Sequence, residues 1–169
     1  MTLVETGCVD YLDRVRAGLP DAYAVEERRF EGEVLTIARR NDTRLQWAGA
    51  RLTTTLAVRA FPPDADLALL DRYLDAVVRE AGSVVKAAGL QRGSAAIAAA
   101  VFDSAPGVAL EWARVAHGHR FAVAGYPVVV DLTASTITQP ERMRVGGVFR
   151  RHLSRLTDEA LAPALGARP

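Results

Sequence analysis

Three residues of this chain have the side chains of a nucleophilic triad: the single cysteine Cys8, His119 and Asp131. Gly7-Cys8 lies where a helix is predicted to begin, and free amides with the helix dipole lower the pKa of a thiol there. His119 is predicted to begin one strand and Asp131 to lie on the next. A carboxylate placed this way orients an imidazole, which in turn deprotonates the thiol. The combination favours a small cysteine-dependent acyl-transfer enzyme.

The segment GHRFAVAGYPVVVDLTAS resembles the His-strand-turn-strand-Asp segment of papain-like and transglutaminase-like enzymes. The resemblance implies Cys8 as nucleophile, His119 as base and Asp131 as the group that orients the base. A second interpretation makes Cys8 a small apolar side chain under a helix, His119 a turn residue and Asp131 the partner of an arginine. We expect the second, because a long predicted helix and several strands separate Cys8 from His119.

His117-Gly118-His119 could supply two metal ligands, since residues i and i+2 of a strand share a face. A third ligand would have to come from Asp103, Glu111 or Asp131. Because the sequence does not bring three ligands together, we expect no metal site. The motifs GxGxxG, GxxxxGK[ST], GxSxG and HExxH are absent from the sequence, so we expect no cofactor either.

Arginines crowd the last predicted helix and the residues before it, together with His152. They are Arg142, Arg144, Arg150, Arg151 and Arg155. Such a face can bind phosphate or an anionic membrane, but acidic residues accompany it and few aromatic residues are interleaved for base stacking. We therefore expect a solvated face and no nucleic-acid partner, and we expect the same of Arg28-Arg29 and Arg39-Arg40.

Three aromatic residues on or near predicted strands are candidate ligand-binding residues: Trp47, Trp112 and Tyr126. An aromatic side chain on a sheet face can line a cavity between the sheet and a helix. The alternative is that it fills the core. The core is favoured for Trp112, while both interpretations remain open for Trp47.

The composition is that of an ordinary globular chain of 169 residues, half of them hydrophobic and 24% charged, with a net charge of +1. We expect a single domain over residues 1–169, with no transmembrane helix, no signal peptide and a cytoplasmic location. A single cysteine excludes an internal disulfide. Of the 21 basic residues only Lys86 is a lysine, which is typical of a GC-rich genome such as an actinobacterial one.

Hydrophobic spacing predicts the elements that must position these residues. Helices are predicted at 8–18, 66–89 and from 139–141 to about 161; strands at 22–30, 33–40, 45–60, 95–102, 108–115, 119–124 and 126–134; a turn at 41–43; and a frayed tail at 162–169. Consecutive strands joined by short turns favour an α+β fold, with an antiparallel sheet of six to seven strands, the long helix inserted after the first strands and the C-terminal helix packed on the sheet.

Two packing expectations follow from this pattern. One face of the long helix should be buried against the sheet; its residues are Leu67, Leu70, Leu74, Val77, Val78 and Val85. On the N-terminal helix, Val9, Leu12, Val15 and Leu19 fall at helical spacing. Gly125 should form a hairpin turn between two antiparallel strands, and the second of these should be internal, because it is apolar on both faces.

The order of meander, long helix, second meander and closing helix is similar to the PsbP/Mog1-like superfamily. The segments that carry this resemblance are ARLTTTLAVRAFPPDADLALLDRYLDAVV, HRFAVAGYPVVVDLTAS and VFRRHLSRL, within residues 30–158. The resemblance implies a small binding or accessory protein. We therefore expect first a non-catalytic protein that uses its sheet face or a strand edge to bind a small molecule or a protein. The alternatives are the cysteine-dependent enzyme and a structural homodimer joined through sheet edges or helix faces.

Overall fold

The computed structural model describes residues 3–30, 33–43, 51–86, 92–115, 123–143 and 147–166. These residues form four helices and six strands. The helices are α1 (Leu3–Gly18), α2 (Leu67–Lys86), α3 (Gly107–Arg114) and α4 (Gly147–Gly166). The strands are β1 (Ala24–Phe30), β2 (Glu33–Thr43), β3 (Arg51–Ala60), β4 (Arg92–Phe102), β5 (Val123–Asp131) and β6 (Thr136–Thr138).

The six strands form one mixed sheet in which they lie in chain order. β1, β2 and β3 are an antiparallel meander, β4 runs parallel to β3, β5 runs parallel to β4, and β6 is antiparallel to β5. The prediction of an α+β fold is confirmed, and the prediction of a purely antiparallel sheet is wrong. The 20-residue α2 carries the chain back along the sheet, so the next strand starts from the same end as β3.

The predicted strand at 108–115 is a helix, α3. Its buried residues, Ala109, Trp112 and Ala113, have the spacing of a helix face. Pro106 precedes the helix, and its carbonyl oxygen accepts the amides of Ala109 and Leu110 at 2.9 and 3.2 Å. A stretch of only eight residues fits both the two-residue period of a strand and the 3.6-residue period of a helix. Here it is a helix, because the packing of one helical face against the sheet buries its apolar residues.

The predicted hairpin at Gly125 is also wrong, because Val123–Asp131 is one uninterrupted strand with every residue buried. A Cβ atom on Gly125 would lie 3.5 Å from Val78 Cγ2 and 3.6 Å from Leu74 Cδ1. The glycine therefore marks a close approach of α2 to the sheet rather than a turn. The expectation that this apolar segment is internal is confirmed, since β5 lies between β4 and β6.

Helices cover both faces of the sheet. α1 and α4 pack on one face through Tyr11, Val15, Leu153 and Leu156. α2 and α3 pack on the other face with side chains such as Leu70, Tyr73, Val77 and Trp112. The central strands β4 and β5 are buried on both faces, so a ligand has no open path to them from above or below.

The predicted stripe of α2 is confirmed for Leu70, Leu74, Val77 and Val78, which are all buried. Leu67 is 47% exposed, because it is the first residue of the helix and lies beyond the sheet. The side chain of Val85 lies outside the described part of the structure. Asp66 caps the helix by accepting the amide of Leu69 at 2.7 Å.

On α1, Val15 is buried and Leu12 packs against the core, but Val9 is 52% exposed. Its predicted place in the apolar stripe is therefore wrong. Among the described residues, no helix combines the length and hydrophobicity that a transmembrane span requires.

Two predicted boundaries also differ from the structure. The expected turn at 41–43 belongs to β2, where Asn41 Oδ1 accepts the hydroxyl of Thr53 on β3 at 2.7 Å. The chain does not fray after residue 161, since α4 continues to Gly166 with Ala164 buried.

Candidate functional site

Cys8 lies inside α1 and not at its first turn, because the helix already begins at Leu3. The side chain is 5% exposed. Burial, together with the negative charge of the neighbouring Asp103, raises the pKa of the thiol from 9.0 to about 12. A nucleophilic cysteine needs the opposite shift, so this environment keeps the thiol protonated at neutral pH.

Asp131 is buried at the end of β5 and joins two loops. Its Oδ2 accepts the amide of Ala105 at 3.0 Å, and its Oδ1 accepts the amide of Ala134 at 2.9 Å. His117 and His119 lie outside the described residues, so the triad stays a prediction. Of its other two members, Cys8 is protonated at neutral pH and Asp131 accepts hydrogen bonds from two backbone amides. Within the described chain, no group of three or more histidine, cysteine or acidic side chains is arranged to hold a metal ion.

A pocket lies at the edge of the sheet where β4 and β5 end. Because these strands are parallel, the residues that follow them meet at one edge, which is where ligands bind in open sheets of this kind. We call this cavity of about 170 Å³ the edge pocket; it is lined by Gly7, Arg14, Asp103, Leu132, Thr133 and Leu165.

Backbone hydrogen bonds fix the floor of the edge pocket. The amides of Leu132 and Thr133 donate to the carbonyl oxygens of Phe102 and Asp103 at 3.0 and 2.8 Å, which extends the β4–β5 pairing beyond the strands. The two residues that carry polar lining groups, Asp103 and Thr133, are therefore held by main-chain bonds and do not depend on a flexible loop.

The wall of the edge pocket is formed by α1 and α4, which two long-range hydrogen bonds hold together. The hydroxyl of Tyr11 donates to the carbonyl oxygen of Leu161 at 3.0 Å, and Arg14 Nε donates to the carbonyl oxygen of Ala164 at 3.1 Å. These bonds place the Arg14 side chain and the end of α4 over the carboxyl ends of the parallel strands.

The carboxylate of Asp103 is tightly confined by α1. A Cβ atom on Gly7 would lie 2.7 Å from Asp103 Oδ1, so only glycine permits this approach without a shift of the carboxylate. Asp103 Oδ2 is buried and has no hydrogen-bond partner among the described residues. Asp103 and Arg14 both line the pocket, yet no ion pair joins them in the part of the chain that is described. The pocket thus presents an acceptor and a guanidinium that do not satisfy each other.

Two of the predicted aromatic ligand-binding residues, Trp112 and Tyr126, make side-chain contacts within the fold. Trp112 Nε1 donates to Asp71 Oδ1 at 3.0 Å and so connects α3 with α2. The Tyr126 hydroxyl donates to Gln139 Oε1 at 3.0 Å, and burial raises the pKa of this tyrosine to about 12. Trp47 lies outside the described residues.

A second group of charges lies between β2 and α4, and the sequence analysis placed part of it on a solvated face. Arg40 Nε donates to Asp42 Oδ1 at 3.2 Å, and Arg40 Nη1 donates to Glu159 Oε1 at 2.9 Å. His152 Nε2 lies 3.4 Å from Asp42 Oδ2, and the Arg40 guanidinium stacks 5.6 Å from the centre of the Tyr23 ring. Burial opposes the charge of Arg40, but the two carboxylates outweigh it and raise the pKa of the guanidinium. Because Arg40 pairs with both Asp42 on β2 and Glu159 on α4, we assign these charges to anchoring α4 on the sheet.

The expectation of solvated arginine pairs is therefore wrong for Arg39-Arg40, whose side chains are 20% and 17% exposed. Successive residues of a strand point to opposite faces, so Arg39 pairs with Glu26 and Glu80 on the α2 side while Arg40 pairs on the α4 side.

Comparison with known proteins shows no match to any protein family, curated protein or solved structure. The resemblance to the PsbP/Mog1-like superfamily therefore remains a prediction, and the second meander on which it partly rested is replaced by two parallel strands.

From the sequence, Asp103 was a candidate only as a third metal ligand, and Arg14 and Thr133 were not candidates for any site. The signal that could have found the pocket is the position of Asp103 and Thr133 just after two apolar strands. That position predicts a binding site only when the two strands are known to be parallel, because only then do the residues that follow them lie at the same edge of the sheet.

Proposed function

We propose that this protein is a non-catalytic binding protein that holds a small zwitterionic molecule in the edge pocket. The observation that carries the proposal is the buried Asp103 Oδ2, which has no protein donor among the described residues and lies in a pocket that also holds Arg14. A buried acceptor left without a donor costs about 1–3 kcal/mol, and a ligand that supplies the donor recovers this energy.

The lining of the pocket indicates the class of ligand. Asp103 calls for an ammonium or N–H donor, and Arg14 calls for a carboxylate or another acceptor. Leu132 and Leu165 supply apolar surface for a short side chain. A dry cavity of about 150 Å³ accepts a molecule of the size of benzene, so a cavity of this volume suits a small amino acid and excludes a nucleotide.

The two alternatives differ in their support. The protonated, buried Cys8 argues against a cysteine-dependent enzyme. The exposed edge strand β1 favours a homodimer joined at a sheet edge. Such a dimer is compatible with the binding function, because β1 does not line the edge pocket. The absence of disulfide chemistry in a chain with one cysteine supports a cytoplasmic location as part of the same proposal.

Isothermal titration of the intact protein with free α-amino acids of small side chain, such as glycine, alanine, serine and valine, tests the proposal. Ethylamine and propionate, which each carry only one of the two charges, are the ligand controls. We expect at least one amino acid to bind with a Kd below about 1 mM and both controls to bind at least about tenfold more weakly, since one lost charged contact is worth about 1.5–3 kcal/mol.

Asp103→Asn and Arg14→Gln should each weaken that binding by about tenfold or more. Arg16→Gln is the matched control, because Arg16 lies on the same helix, is half exposed and pairs with Glu27 away from the pocket. Absence of heat with every amino acid at 10 mM, or binding that Asp103→Asn leaves unchanged, would overturn the proposal.

A further inference from the structure

β1 is an open edge of the sheet. It lies first in the strand order, is seven residues long and pairs only with β2 among the described elements. Most of its residues are exposed, including Val25 at 40%. The opposite edge strand, β6, has only three residues. A long edge with unpaired backbone groups is a template for another strand, and natural edges usually resist this by being short, by charged side chains, by proline or by a bulge.

β1 is seven residues long and contains no proline, and its sequence AVEERRF carries charges of both signs, two acids followed by two arginines, which an identical strand can pair with. We propose that β1 pairs antiparallel with β1 of a second copy of this chain, so that two six-stranded sheets join into one. The occupant is a second copy because the acidic Glu26 can face the basic Arg28 of an identical strand that runs in the opposite direction.

Two-fold symmetry restricts the register of such a pair. An antiparallel joint across two identical edges requires an axis perpendicular to the sheet, which leaves the α2 face of both copies on the same side. In an antiparallel pair, residues directly opposite each other have side chains on the same face of the sheet. Side chains alternate between faces along a strand, so the residue numbers of two facing residues must be equal or differ by an even number. One residue must therefore lie on the axis and face its own copy.

The register with Glu27 on the axis is the one that uses all seven residues of β1. The facing pairs from the axis outward are Glu26 with the partner's Arg28, Val25 with the partner's Arg29, and Ala24 with the partner's Phe30. With Arg28 on the axis, Glu26 would instead face the partner's Phe30, and Ala24 and Val25 would face residues outside the strand.

The charges of β1 suit the register centred on Glu27. Glu26 and Arg28 project on the α2 side, where they already take part in ion pairs with Arg39 and Glu80, so the two copies extend one network. The meeting of Glu27 with its own copy is balanced on the α1 side, where Arg16 pairs with each Glu27.

The partner's Arg29 lies diagonally opposite Glu27 in this register. Neighbours at this spacing across two strands are within reach of long charged side chains. The diagonal contacts and the two direct Glu26–Arg28 pairs together outnumber the single repulsive contact on the axis.

Sedimentation velocity of the wild-type chain and two variants of Val25 tests the register by sign. Val25 faces the partner's Arg29, so Val25→Glu creates two opposite-charge pairs per dimer and Val25→Lys creates two like-charge pairs. We expect Val25→Glu to lower the dimer Kd by about fivefold and Val25→Lys to raise it by about the same factor. Val9→Glu and Val9→Lys, at a similarly exposed position on α1, should leave the dimer Kd unchanged.

Disulfide trapping tests the axis directly. In a Cys8→Ala background, Glu27→Cys places two thiols opposite each other at a Cα separation of about 4.5–5.5 Å, which a disulfide can span. Arg28→Cys is the matched control, because its nearest copy in the partner is offset along the strand. We expect a covalent dimer under mild oxidation with Glu27→Cys and little with Arg28→Cys.

A chain that sediments as a monomer at all concentrations up to about 1 mM would overturn the proposal. So would equal responses to Val25→Glu and Val25→Lys, or efficient cross-linking of Arg28→Cys without that of Glu27→Cys. These results concern β1 alone and leave the edge pocket untested, so the two proposals fail independently.

Discussion

Alkylation of Cys8 separates the enzyme interpretation from the binding interpretation. Iodoacetamide reacts with the thiolate, and the fraction of thiolate at neutral pH falls tenfold for each unit by which the pKa rises. A shift from 9.0 to about 12 therefore lowers the thiolate fraction of the native protein by about 1000-fold relative to the unfolded chain. Since Cys8 is also 5% exposed, we expect native labelling to be at least this much slower than labelling in concentrated urea.

Mass spectrometry of the intact protein over time measures both rates. Asp103→Asn removes the charge that is the second cause of the shift and should accelerate native labelling, but by less than unfolding does, because burial is the larger cause. His119→Ala should leave the native rate unchanged. A native rate within about threefold of the unfolded rate, and slowed by His119→Ala, would refute the reasoning and favour the triad.

Three further predictions concern stability. Cys8 has a raised native pKa, so its contribution is complete below pH 9 and is lost as pH rises towards about 12; in urea unfolding, the advantage of wild type over Cys8→Ala should shrink by about 1 kcal/mol between pH 9 and 10. Asp131→Ala removes the acceptor of two loop amides and should lower the free energy of unfolding by about 2–5 kcal/mol, and a loss below about 0.5 kcal/mol would contradict the assigned role. Gly82→Ala, inside α2 with its nearest neighbour at an ordinary 3.6 Å, should raise Tm by about 2–4 °C in calorimetry, whereas Leu74→Ala, in the core beneath it, should cost about 2–5 kcal/mol.

Local periodicity was sufficient for the elements whose hydrophobic pattern is long and unambiguous. The 3.6-residue spacing predicted α2 and its buried stripe from Leu70 to Val78. Hydrophobic spacing also predicted strands at 45–60 and 22–30, and these ranges contain β3 and β1. These features depend on neighbours within one helical turn or one strand pleat, which the sequence contains directly.

Short apolar stretches were the failures of the same method. Gly107–Arg114 fits both a strand and a helix, and it is helical because one face, with Trp112 at its centre, packs towards α2. Gly125 has the sequence signature of a turn, yet it lies within β5, where Leu74 and Val78 of α2 pack over it. In both cases the deciding contact comes from an element more than 30 residues away.

The sequence by itself determined that this chain has an α+β fold with a long amphipathic helix and an apolar strand inside the sheet. Only the tertiary structure decided that β3, β4 and β5 are parallel, because strand direction depends on where α2 and α3 return the chain. That direction brings Asp103 and Thr133 to one edge, and the packing of α1 on α4 adds Arg14 from the other end of the chain. No local sequence pattern predicts that Arg14, Asp103 and Thr133 lie close together. Their proximity results from the burial of apolar surface over the whole fold.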